Sequence, residues 1–429
     1  MAKEETMVRN PEREEYLIIG AGAAGMAAAA TIRQHNSAAN ITVLSAESDR
    51  PYYRPMIPFL ISGQKKAAEI FIEDNGPFTS QGIKILLQAK ATTIDTQRRV
   101  VLLESGREFV YDKLLIATGS SPVFPDSLQA QTAEGVYTLR TLAEACSIAR
   151  RSQNAKNVVM LGGGMLNVKT AFALLARGLN VTMVEIEESV LPWLMEADAT
   201  PLIHNALLKA GLKVITGCTL SSLHFEKNNH DIKRVKLSNG QELDCQMLLI
   251  GIGVQPNISL LGSTPLKLNQ GVVIDSSCRC SEKNIFAAGD VAVSIDPISG
   301  SALKTGLWTH AVEMGRCAGK NMVGLSSEYA GPYGILNATQ VANVPFVSIG
   351  TVHTAKTDYE TYVFKTTQSY RKLIFSLEGD RLIGALFVGD ITGSGLYRHL
   401  IRERIPVTEI KSHILRHRLH YGHLLSRVA

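Results

Sequence analysis

Three glycines near the amino terminus have the spacing of a phosphate-binding turn. In the stretch YLIIGAGAAGMAAAA, Gly20, Gly22 and Gly25 occupy the glycine positions of G-x-G-x-x-G. The first glycine allows the tight bend, the second lets backbone approach a pyrophosphate, and the third lets the next helix pack on the strand. A buried strand over residues 16–19 and a helix over residues 26–33 would position them, with the helix N-terminus facing the phosphates. We therefore predict a dinucleotide site, with a plain glycine turn before an alanine-rich helix as the alternative.

A second glycine turn lies further along the chain, in the stretch VVMLGGGMLNVKT. Gly162 and Gly164 match the first two glycine positions, but Asn167 stands at the third and Lys169 follows two residues later. Strand, turn, helix and strand come in the same order as before, which predicts a second βαβ dinucleotide unit. Glu185 directly follows the second strand of this unit. Since a carboxylate there accepts from the ribose 2′-hydroxyl of NAD and repels the 2′-phosphate of NADP, we predict a preference for NAD(H).

Two charged residues beyond the first glycine turn suit a nucleotide ligand, an acid for its ribose hydroxyls and a base for its phosphates. Glu47 lies just beyond the strand expected over residues 41–44, where an acid would hold ribose hydroxyls; a surface glutamate is the alternative. Arg54 lies in residues 50–63, whose three prolines predict a stiff, irregular segment without a continuous helix. Its guanidinium could make a forked contact with phosphate, although the segment alone is also consistent with an ordinary proline-rich loop.

Two further loops follow apolar stretches. Thr118 and Gly119 end the strand predicted over residues 111–117, and the glycine lets backbone turn closely past a cofactor. Asp290 follows Gly289 after another apolar stretch, so its carboxylate can accept from a ribityl hydroxyl, although aspartate after glycine is also ordinary turn chemistry.

A helix is predicted over residues 306–323, beginning near Trp308, Thr309 and His310. The positive end of its dipole could stabilise negative charge on a reduced cofactor ring. The remaining apolar patterns predict short strands. Residues 83–87, 91–95 and 100–103 are expected to form a meander, and four C-terminal strands are expected over 344–352, 359–366, 370–377 and 381–388.

The composition is that of an ordinary globular protein. The chain has 429 residues, of which 45% are hydrophobic and 19% charged, so two or three domains are expected. It has no signal-peptide core and no apolar run of the roughly eighteen residues that a membrane span needs. Six scattered cysteines lack the spacing of metal ligands. We expect reduced thiols, no bound metal, no contact with a membrane and a cytoplasmic location.

The net charge of +5 is concentrated in residues 398–429, the basic tail, which hold seven Lys or Arg and two Asp or Glu. Apolar residues recur there at helix-like intervals, which predicts one packed stripe with basic side chains outside it. Such a surface could steer an acidic protein partner, with a solvated helix as the alternative; no interleaved aromatic residues support nucleic acid. The stripe comprises Ile410, Ile414, Leu415, Leu419, Leu424, Leu425 and Val428, and the basic side comprises Lys411, Arg416, Arg418 and Arg427 with His413, His417, His420 and His423.

In this order and spacing, the motifs GAGAAG, ATGSSP, GGGMLN, GIGVQPN and FAAGD resemble those of the FAD-dependent pyridine nucleotide oxidoreductases with two dinucleotide-binding domains. The stretch PYYRPMIPFLISG, the helix WTHAVEMGRCAGKNM and the C-terminal region look most like NADH:rubredoxin reductases and the flavin half of assimilatory nitrite reductases. GGGMLNVKTA resembles the flavin subunits that accompany carbon monoxide dehydrogenases and tungsten aldehyde oxidoreductases.

The resemblance implies an α/β fold with two Rossmann-like domains, the NAD domain being inserted in the FAD domain, and a C-terminal α+β domain that carries the basic tail. The implied boundaries are 14–121 with 246–328 for the FAD domain, 122–245 for the NAD domain and 329–429 for the C-terminal domain.

The resemblance also implies FAD and NAD(H) as cofactors and assigns residues to them. The residues implied for FAD are Gly20, Gly22, Gly25, Glu47, Arg54, Thr118, Gly119 and Asp290, with Trp308, Thr309 and His310 next to the flavin. Those implied for NAD are Gly162, Gly164 and Glu185, with Asn167 and Lys169 where members carry a glycine and a glutamate that reaches the nicotinamide amide.

An absence narrows the chemistry. Disulfide reductases of this superfamily carry C-x-x-x-x-C soon after the first βαβ unit, and related peroxidases carry one cysteine there. This chain has no cysteine before Cys146, and Ser62 stands in the place of the single cysteine. Because thiol chemistry needs a thiolate, we expect no catalytic cysteine and no side-chain acid or base, the flavin itself being the reactive group.

We therefore predict hydride transfer between NAD(H) and FAD, and single-electron transfer between FAD and an iron–sulfur, rubredoxin-like or metalloenzyme partner. The chain could also serve as the NAD-linked subunit of a larger complex such as an aldehyde oxidoreductase. The alternatives are an NADH oxidase or diaphorase that delivers electrons to oxygen or quinones, and a non-catalytic subunit that holds FAD for assembly.

Overall fold

The computed structural model describes residues 13–72, 78–125, 134–226, 231–295, 302–304, 306–329, 331, 336–352, 359–378 and 380–425. The chain clusters into two compact units. Unit 1 takes its described residues from Met1–Ile57, Lys65–Ser121 and Val254–Pro332, and unit 2 from Pro58–Gln64, Pro122–Gly253 and Tyr333–Ala429. The predicted boundaries of three domains stay a prediction.

The first part of the chain alternates short strands with two helices. In chain order its elements are β1 (Glu15–Ile19), α1 (Ala23–His35), β2 (Asn40–Leu44), α2 (Ile57–Ser62), β3 (Ile83–Leu86), β4 (Ala91–Asp95), β5 (Val100–Leu103), β6 (Glu108–Val110), β7 (Lys113–Ile116) and β8 (Ser120–Pro122).

The middle part repeats the strand–helix alternation. Its elements are β9 (Val136–Thr138), α3 (Leu142–Arg151), β10 (Asn157–Leu161), α4 (Met165–Leu175), β11 (Asn180–Val184), α5 (Thr200–Lys209), β12 (Lys213–Ile215), β13 (Leu220–Phe225), β14 (Ile232–Leu237), β15 (Glu242–Asp244) and β16 (Met247–Ile250).

The last part contains a long helix, a set of long strands and three terminal helices. Its elements are β17 (Val254–Pro256), β18 (Val272–Val273), β19 (Ile285–Ala287), β20 (Ala292–Ile295), β21 (Ala302–Leu303), α6 (Trp308–Met322), β22 (Leu336–Val341), β23 (Val344–Gly350), β24 (Tyr359–Lys365), β25 (Tyr370–Ser376), β26 (Arg381–Val388), α7 (Ser394–Arg402), α8 (Lys411–Leu415) and α9 (Gly422–Leu425).

Unit 1 is built on a parallel sheet with the strand order β19-β7-β1-β2-β3. A central parallel strand is covered on both faces, so it needs consecutive apolar side chains, and β1 supplies them from Tyr16 to Ile19, each at most 4% exposed. The helices α1 and α6 pack very closely, since a Cβ on Gly315 would lie 2.2 Å from the carbonyl oxygen of Ala24. With β2 and β7 on opposite sides of β1, the order reverses at this strand, which is where ligands bind in such sheets.

Unit 2 contains a parallel sheet of the same kind, with the order β12-β11-β10-β16-β9. Here β10 takes the place that β1 has in unit 1, and α4 follows it through the second glycine turn. The two parallel sheets with their helices confirm the predicted α/β class.

A five-stranded antiparallel sheet, β22-β23-β26-β25-β24, forms the C-terminal part of unit 2. Its core includes Phe375, Phe387, Leu400 and Ile414, all completely buried. The four strands predicted here and the helix predicted over 306–323 are confirmed, whereas β22 was not predicted because its sequence LNATQV lacks a strong apolar alternation.

Two local predictions were wrong. Residues 83–87 do not join a meander: β3 pairs with β2 at the edge of the parallel sheet, and β4, β5 and β6 form a separate antiparallel sheet. The proline-rich segment is not irregular throughout, since a 3-10 turn over Arg54–Met56 leads into α2. Pro55 and Pro58 fall in the first turns of these two short helices, where the missing N–H groups cost nothing, and Pro51 lies before them outside any helix.

The basic tail is not one helix but three short ones, so its apolar residues do not form a single continuous stripe. Ile414 and Leu424 are nevertheless buried in the core, as expected, and Arg416 and Arg418 are exposed. Lys411 was predicted outside but is partly buried, because Glu360 and Asp380 (2.9 Å) both pair with its ammonium. The side chain of Leu425, and Arg427 and Val428, lie outside the described residues.

Candidate functional site

The first glycine turn links β1 to α1 and contains two glycines that packing requires. A Cβ on Gly20, where φ is +113°, would lie 2.1 Å from the carbonyl oxygen of Ala117, and a Cβ on Gly25 would lie 1.9 Å from that of Gly20. A Cβ on Gly22 would meet no protein atom within 4 Å. The middle glycine therefore borders open space at the N-terminus of α1, where a pyrophosphate fits.

The structure brings Glu47 and Arg54 together beside this turn. Nη2 of Arg54 lies 2.7 Å from Oε1 of Glu47, and the hydroxyl of Tyr52 donates to Oε2 over 2.6 Å. Burial opposes the charge of Arg54, but Tyr52 and Glu47 outweigh it and raise the pKa of the guanidinium. A surface pocket is lined by these three side chains together with Ala21 and Ser45. The two residues predicted to contact the cofactor, Glu47 and Arg54, thus lie in one polar cluster next to the glycine turn.

A second contact network surrounds the loop after β7. The Thr118 hydroxyl donates to the Asn257 carbonyl oxygen (2.8 Å), and the Asn257 side-chain amide donates back to the Thr118 carbonyl (2.9 Å). The Asn257 backbone N–H also donates to the carbonyl of Gly119, whose φ is +69°. Asp290 accepts from the Ser120 hydroxyl over 2.9 Å, so both predicted loops meet here. Our site prediction missed Asn257, although it ends the quoted motif GIGVQPN.

The start of α6 lies beside the proline-rich segment. The ring centroids of Trp308 and Tyr53 are 5.7 Å apart. Thr309 is exposed, whereas His310 is buried and its Nδ1 lies 2.6 Å from the hydroxyl of Tyr329. The imidazole of His310 is therefore held by the protein, and the predicted place of Thr309 and His310 next to the flavin stays a prediction.

The second glycine turn links β10 to α4 in unit 2. Gly162 has φ +100°, and a Cβ there would lie 2.4 Å from the carbonyl oxygen of Gly251, whereas a Cβ on Gly164 would meet nothing within 4 Å. Asn167 is 2% exposed and donates to the carbonyls of Leu161 (2.9 Å) and Gly162 (2.8 Å). Its amide thus supports the turn from inside, and its predicted contact with the cofactor stays a prediction.

Glu185 and Lys169 differ in the contacts that their charged groups make with the rest of the protein. Glu185 is 6% exposed, and its carboxylate accepts from the backbone N–H groups of Gly163 and Glu187, the latter over 3.0 Å. Lys169 lies on the exposed side of α4 and has no ion-pair partner among the residues that the structure describes. Although the residue as a whole is exposed, partial desolvation of its ammonium lowers the pKa of Lys169.

The three helices that begin at these sites share an uncapped N-terminus. No side chain caps α1 at Gly22, α4 at Gly164 or α6 at Leu307, and none has an acid in its first turn. By contrast, α3 has a complete capping box of Thr141 and Glu144. Free N–H groups and the helix dipole favour an anionic ligand, so both glycine turns fit a dinucleotide phosphate.

Two other kinds of site are absent from the described ranges. No group of three or more His, Cys, Asp or Glu side chains there could hold a metal ion. No helix in that part of the chain is both long and apolar enough to cross a bilayer.

Comparison with known proteins agrees with this geometry. Residues 14–315 match the family described as pyridine nucleotide-disulphide oxidoreductase, and residues 332–405 match the rubredoxin NAD+ reductase C-terminal domain. The epsilon subunit of NADH-dependent phenylglyoxylate dehydrogenase from Aromatoleum evansii is 28% identical over 97% of this chain and 98% of the relative. An NADH oxidase from Methanocaldococcus jannaschii is 30% identical over 78% of this chain and 75% of the relative.

A solved structure shares the fold. The covalent putidaredoxin reductase–putidaredoxin complex superposes with a TM-score of 0.83 at 22% identity, over 92% of this chain and 94% of the other. The match over residues 14–315 covers well over half of the sequence, including both glycine turns. This chain therefore belongs to the pyridine nucleotide-disulphide oxidoreductase family, and it is an enzyme that uses FAD and NAD(H).

Proposed function

We propose that this protein transfers hydride between NAD(H) and FAD and exchanges single electrons between FAD and a protein electron carrier or an iron–sulfur subunit. The observation that carries the proposal is the pair of glycine turns, each with an open middle glycine and an uncapped helix. When bound, FAD would supply the chemistry that links a nicotinamide, which gives two electrons as a hydride, to carriers that take electrons singly.

Unit 1 would hold FAD. The free N–H groups at the start of α1 would bind its pyrophosphate across Gly22, and Glu47 would accept from ribose hydroxyls while Arg54 keeps that carboxylate in place. Asp290, already fixed by Ser120, would accept from the ribityl chain. The uncapped start of α6 would stabilise negative charge on the reduced ring.

Unit 2 would hold NAD(H). The start of α4 would bind the pyrophosphate at Gly164, and Glu185 would face the adenosine ribose, where its charge disfavours a 2′-phosphate. We assign Asn167 to the support of the turn, since its amide hydrogens are already used by two carbonyls. The ammonium of Lys169, unpaired among the described residues, would add attraction for the anionic dinucleotide.

We also propose that no cysteine relays electrons. Ser62, in the place of the peroxidase cysteine, donates to the carbonyl of Phe59 over 2.9 Å. Among the later cysteines, burial raises the pKa of Cys245 and of Cys280 to about 12, so both are neutral thiols at physiological pH, whereas the hydrogen bond with Cys278 lowers the pKa of Cys317. Electrons would therefore leave the flavin directly.

The electron partner is proposed from similarity and charge. The relative from Aromatoleum evansii is a subunit of an NADH-dependent dehydrogenase complex, and the C-terminal match is to rubredoxin reductases. The exposed side chains of Arg416 and Arg418 in the basic tail suit an acidic carrier. The NADH oxidase relative favours a second candidate function, electron delivery to oxygen.

The test is to mix the FAD-loaded protein with NADH in the absence of oxygen and follow bleaching of the flavin, with NADPH as the control donor. The reduced protein is then mixed with rubredoxin, ferredoxin or oxygen. We expect rapid bleaching by NADH and faster reoxidation by a protein carrier than by oxygen. Reoxidation by oxygen alone would favour the oxidase, and no bleaching by NADH would refute both functions.

A further inference from the structure

The segment of residues 186–199, here called the connecting segment, joins β11 to α5 in unit 2. It packs against the second glycine turn. The backbone N–H of Leu191 donates to the carbonyl of Gly163 over 3.0 Å, while the N–H of Gly163 donates to Glu185. Val190 is completely buried, and its atoms would lie 3.1 Å from a Cβ on Gly163. The segment therefore contacts the middle of the turn directly.

Leu191 adopts a left-handed backbone conformation, with φ +57°. This conformation is unfavourable for a leucine, so the surrounding contacts must impose it. Met195, 2% exposed, donates its backbone N–H to the carbonyl of Leu191 over 3.0 Å. These backbone hydrogen bonds thus connect the glycine turn, through Leu191 and Met195, to the next residue, Glu196.

Glu196 is fixed by side chains of the antiparallel sheet. Its Oε2 accepts from the hydroxyl of Tyr370 over 2.8 Å, and its Oε1 pairs with the ammonium of Lys372. Lys372 is 6% exposed and also donates to the carbonyl of Val352 over 3.1 Å. Both partners of Glu196 therefore lie on β25, far in sequence from the glycine turn.

A second ion pair joins the same two regions and serves as a comparison. Nζ of Lys365 lies 3.2 Å from Oδ1 of Asp198, but the two side chains are 53% and 66% exposed. Solvent and salt screen such an exposed pair, whereas the pair of Lys372 and Glu196, with side chains 8% and 23% exposed, is screened less.

We propose that Glu196 is a positioning residue for the NAD(H) site, and that Tyr370 and Lys372 hold it in place from the antiparallel sheet. This inference rests on the proposed function of the second glycine turn. Through Glu196, Met195 and Leu191, the sheet fixes the orientation of Gly163, and with it the N–H groups and the Glu185 carboxylate that would face the dinucleotide.

The test measures NADH binding and flavin reduction separately in the FAD-loaded variants Lys372→Met and Tyr370→Phe, with Lys365→Met as the matched control. Stopped-flow reduction over a range of NADH concentrations gives the dissociation constant and the limiting rate. We expect Lys372→Met to raise the dissociation constant about five- to thirty-fold and to leave the limiting rate within about two-fold, as for a residue coupled to a site without contacting the ligand. Tyr370→Phe, which removes one hydrogen bond and keeps the ring, should act in the same direction more weakly.

Lys365→Met should leave both constants unchanged. If Lys372→Met and Tyr370→Phe lower the unfolding temperature but bind NADH as the wild type does, the contact is merely structural and the inference is overturned. If Lys372→Met does not fold, the NADH dissociation constant of Tyr370→Phe alone decides. Failure of the proposed function looks different: the wild type would then bind no NADH, or Gly164→Ala would leave NADH binding intact.

Discussion

Two neighbouring glycines in the first turn should respond oppositely to the same added methyl group. Gly22→Ala places a Cβ in open space, and its φ of −83° is one that alanine adopts readily. Gly25→Ala places a Cβ 1.9 Å from the carbonyl oxygen of Gly20. The first change should therefore damage only the binding of FAD, and the second should damage the fold itself.

The magnitudes follow from these distances. At Gly22 only the preference for glycine over alanine at a helix N-cap is lost, so the FAD-free protein should keep its stability within about 1 kcal/mol. The same methyl group blocks close approach of a pyrophosphate, and we expect at least ~100-fold weaker FAD binding, or about 2.7 kcal/mol. At Gly25 the carbonyl must move by more than an ångström, which should cost about 3 kcal/mol or more in free energy of unfolding.

Both quantities can be measured on the same preparations. Fluorescence titration of the FAD-free protein with FAD gives the dissociation constant, and denaturant unfolding of that protein gives its stability. The second turn offers a repeat of the experiment, since Gly164 is open and Gly162 is not. The reasoning fails if Gly22→Ala binds FAD as tightly as the wild type, or if it unfolds as easily as Gly25→Ala.

Four further outcomes are expected. NADH should reduce the flavin at least ~10-fold more efficiently than NADPH, because a buried carboxylate repels the 2′-phosphate. Glu185→Ala should lower this ratio of efficiencies, and equal efficiencies in the wild type would remove Glu185 from its role. Alkylation of the thiols should leave NADH-driven dye reduction nearly intact, and loss of activity on labelling one site with FAD retained would contradict the cysteine-free route. Neutralising Arg416 and Arg418 together should slow electron transfer to an acidic carrier about five-fold at low salt, with flavin reduction by NADH unchanged; if both half-reactions are unaffected, the tail is only a solvated surface. Lys411→Met should instead lower the unfolding temperature without changing carrier kinetics, since its ammonium is paired with Glu360 on β24 and with Asp380 just before β26.

Much of the fold was predictable because its signals are local. The apolar strand, the glycine turn and the helix after it are adjacent in sequence, so residues 16–33 could be interpreted without knowing the rest of the chain. The start of α6 near Trp308 and the strands from Val344 onward were predictable on the same ground. The strand β3 was not, because its partner β2 lies about forty residues away and its own short pattern fits either sheet.

The site was predictable as a set of positions but not as a set of contacts. Glu47 and Arg54 were each chosen for the cofactor, but nothing in their spacing indicated that they pair with each other. Asn257 belongs to a recognised motif, and only the structure shows it joined to Thr118 by a pair of hydrogen bonds. Asn167 replaces a glycine in the motif, and only the structure shows that its amide donates to the carbonyls of Leu161 and Gly162 inside the turn.

The sequence by itself determined the two glycine turns, their order along the chain and the absence of cysteine before Cys146, and the preference for NAD(H) that Glu185 suggests stays a prediction. These follow from backbone conformations and charges that act within a few residues. The tertiary structure alone decided that Lys411 is paired rather than exposed, and that Glu196 is held by Tyr370 and Lys372. The partners of Glu196 lie more than a hundred positions away from it in the sequence. No periodicity of the sequence encodes which distant side chain will pack at a given place in the core.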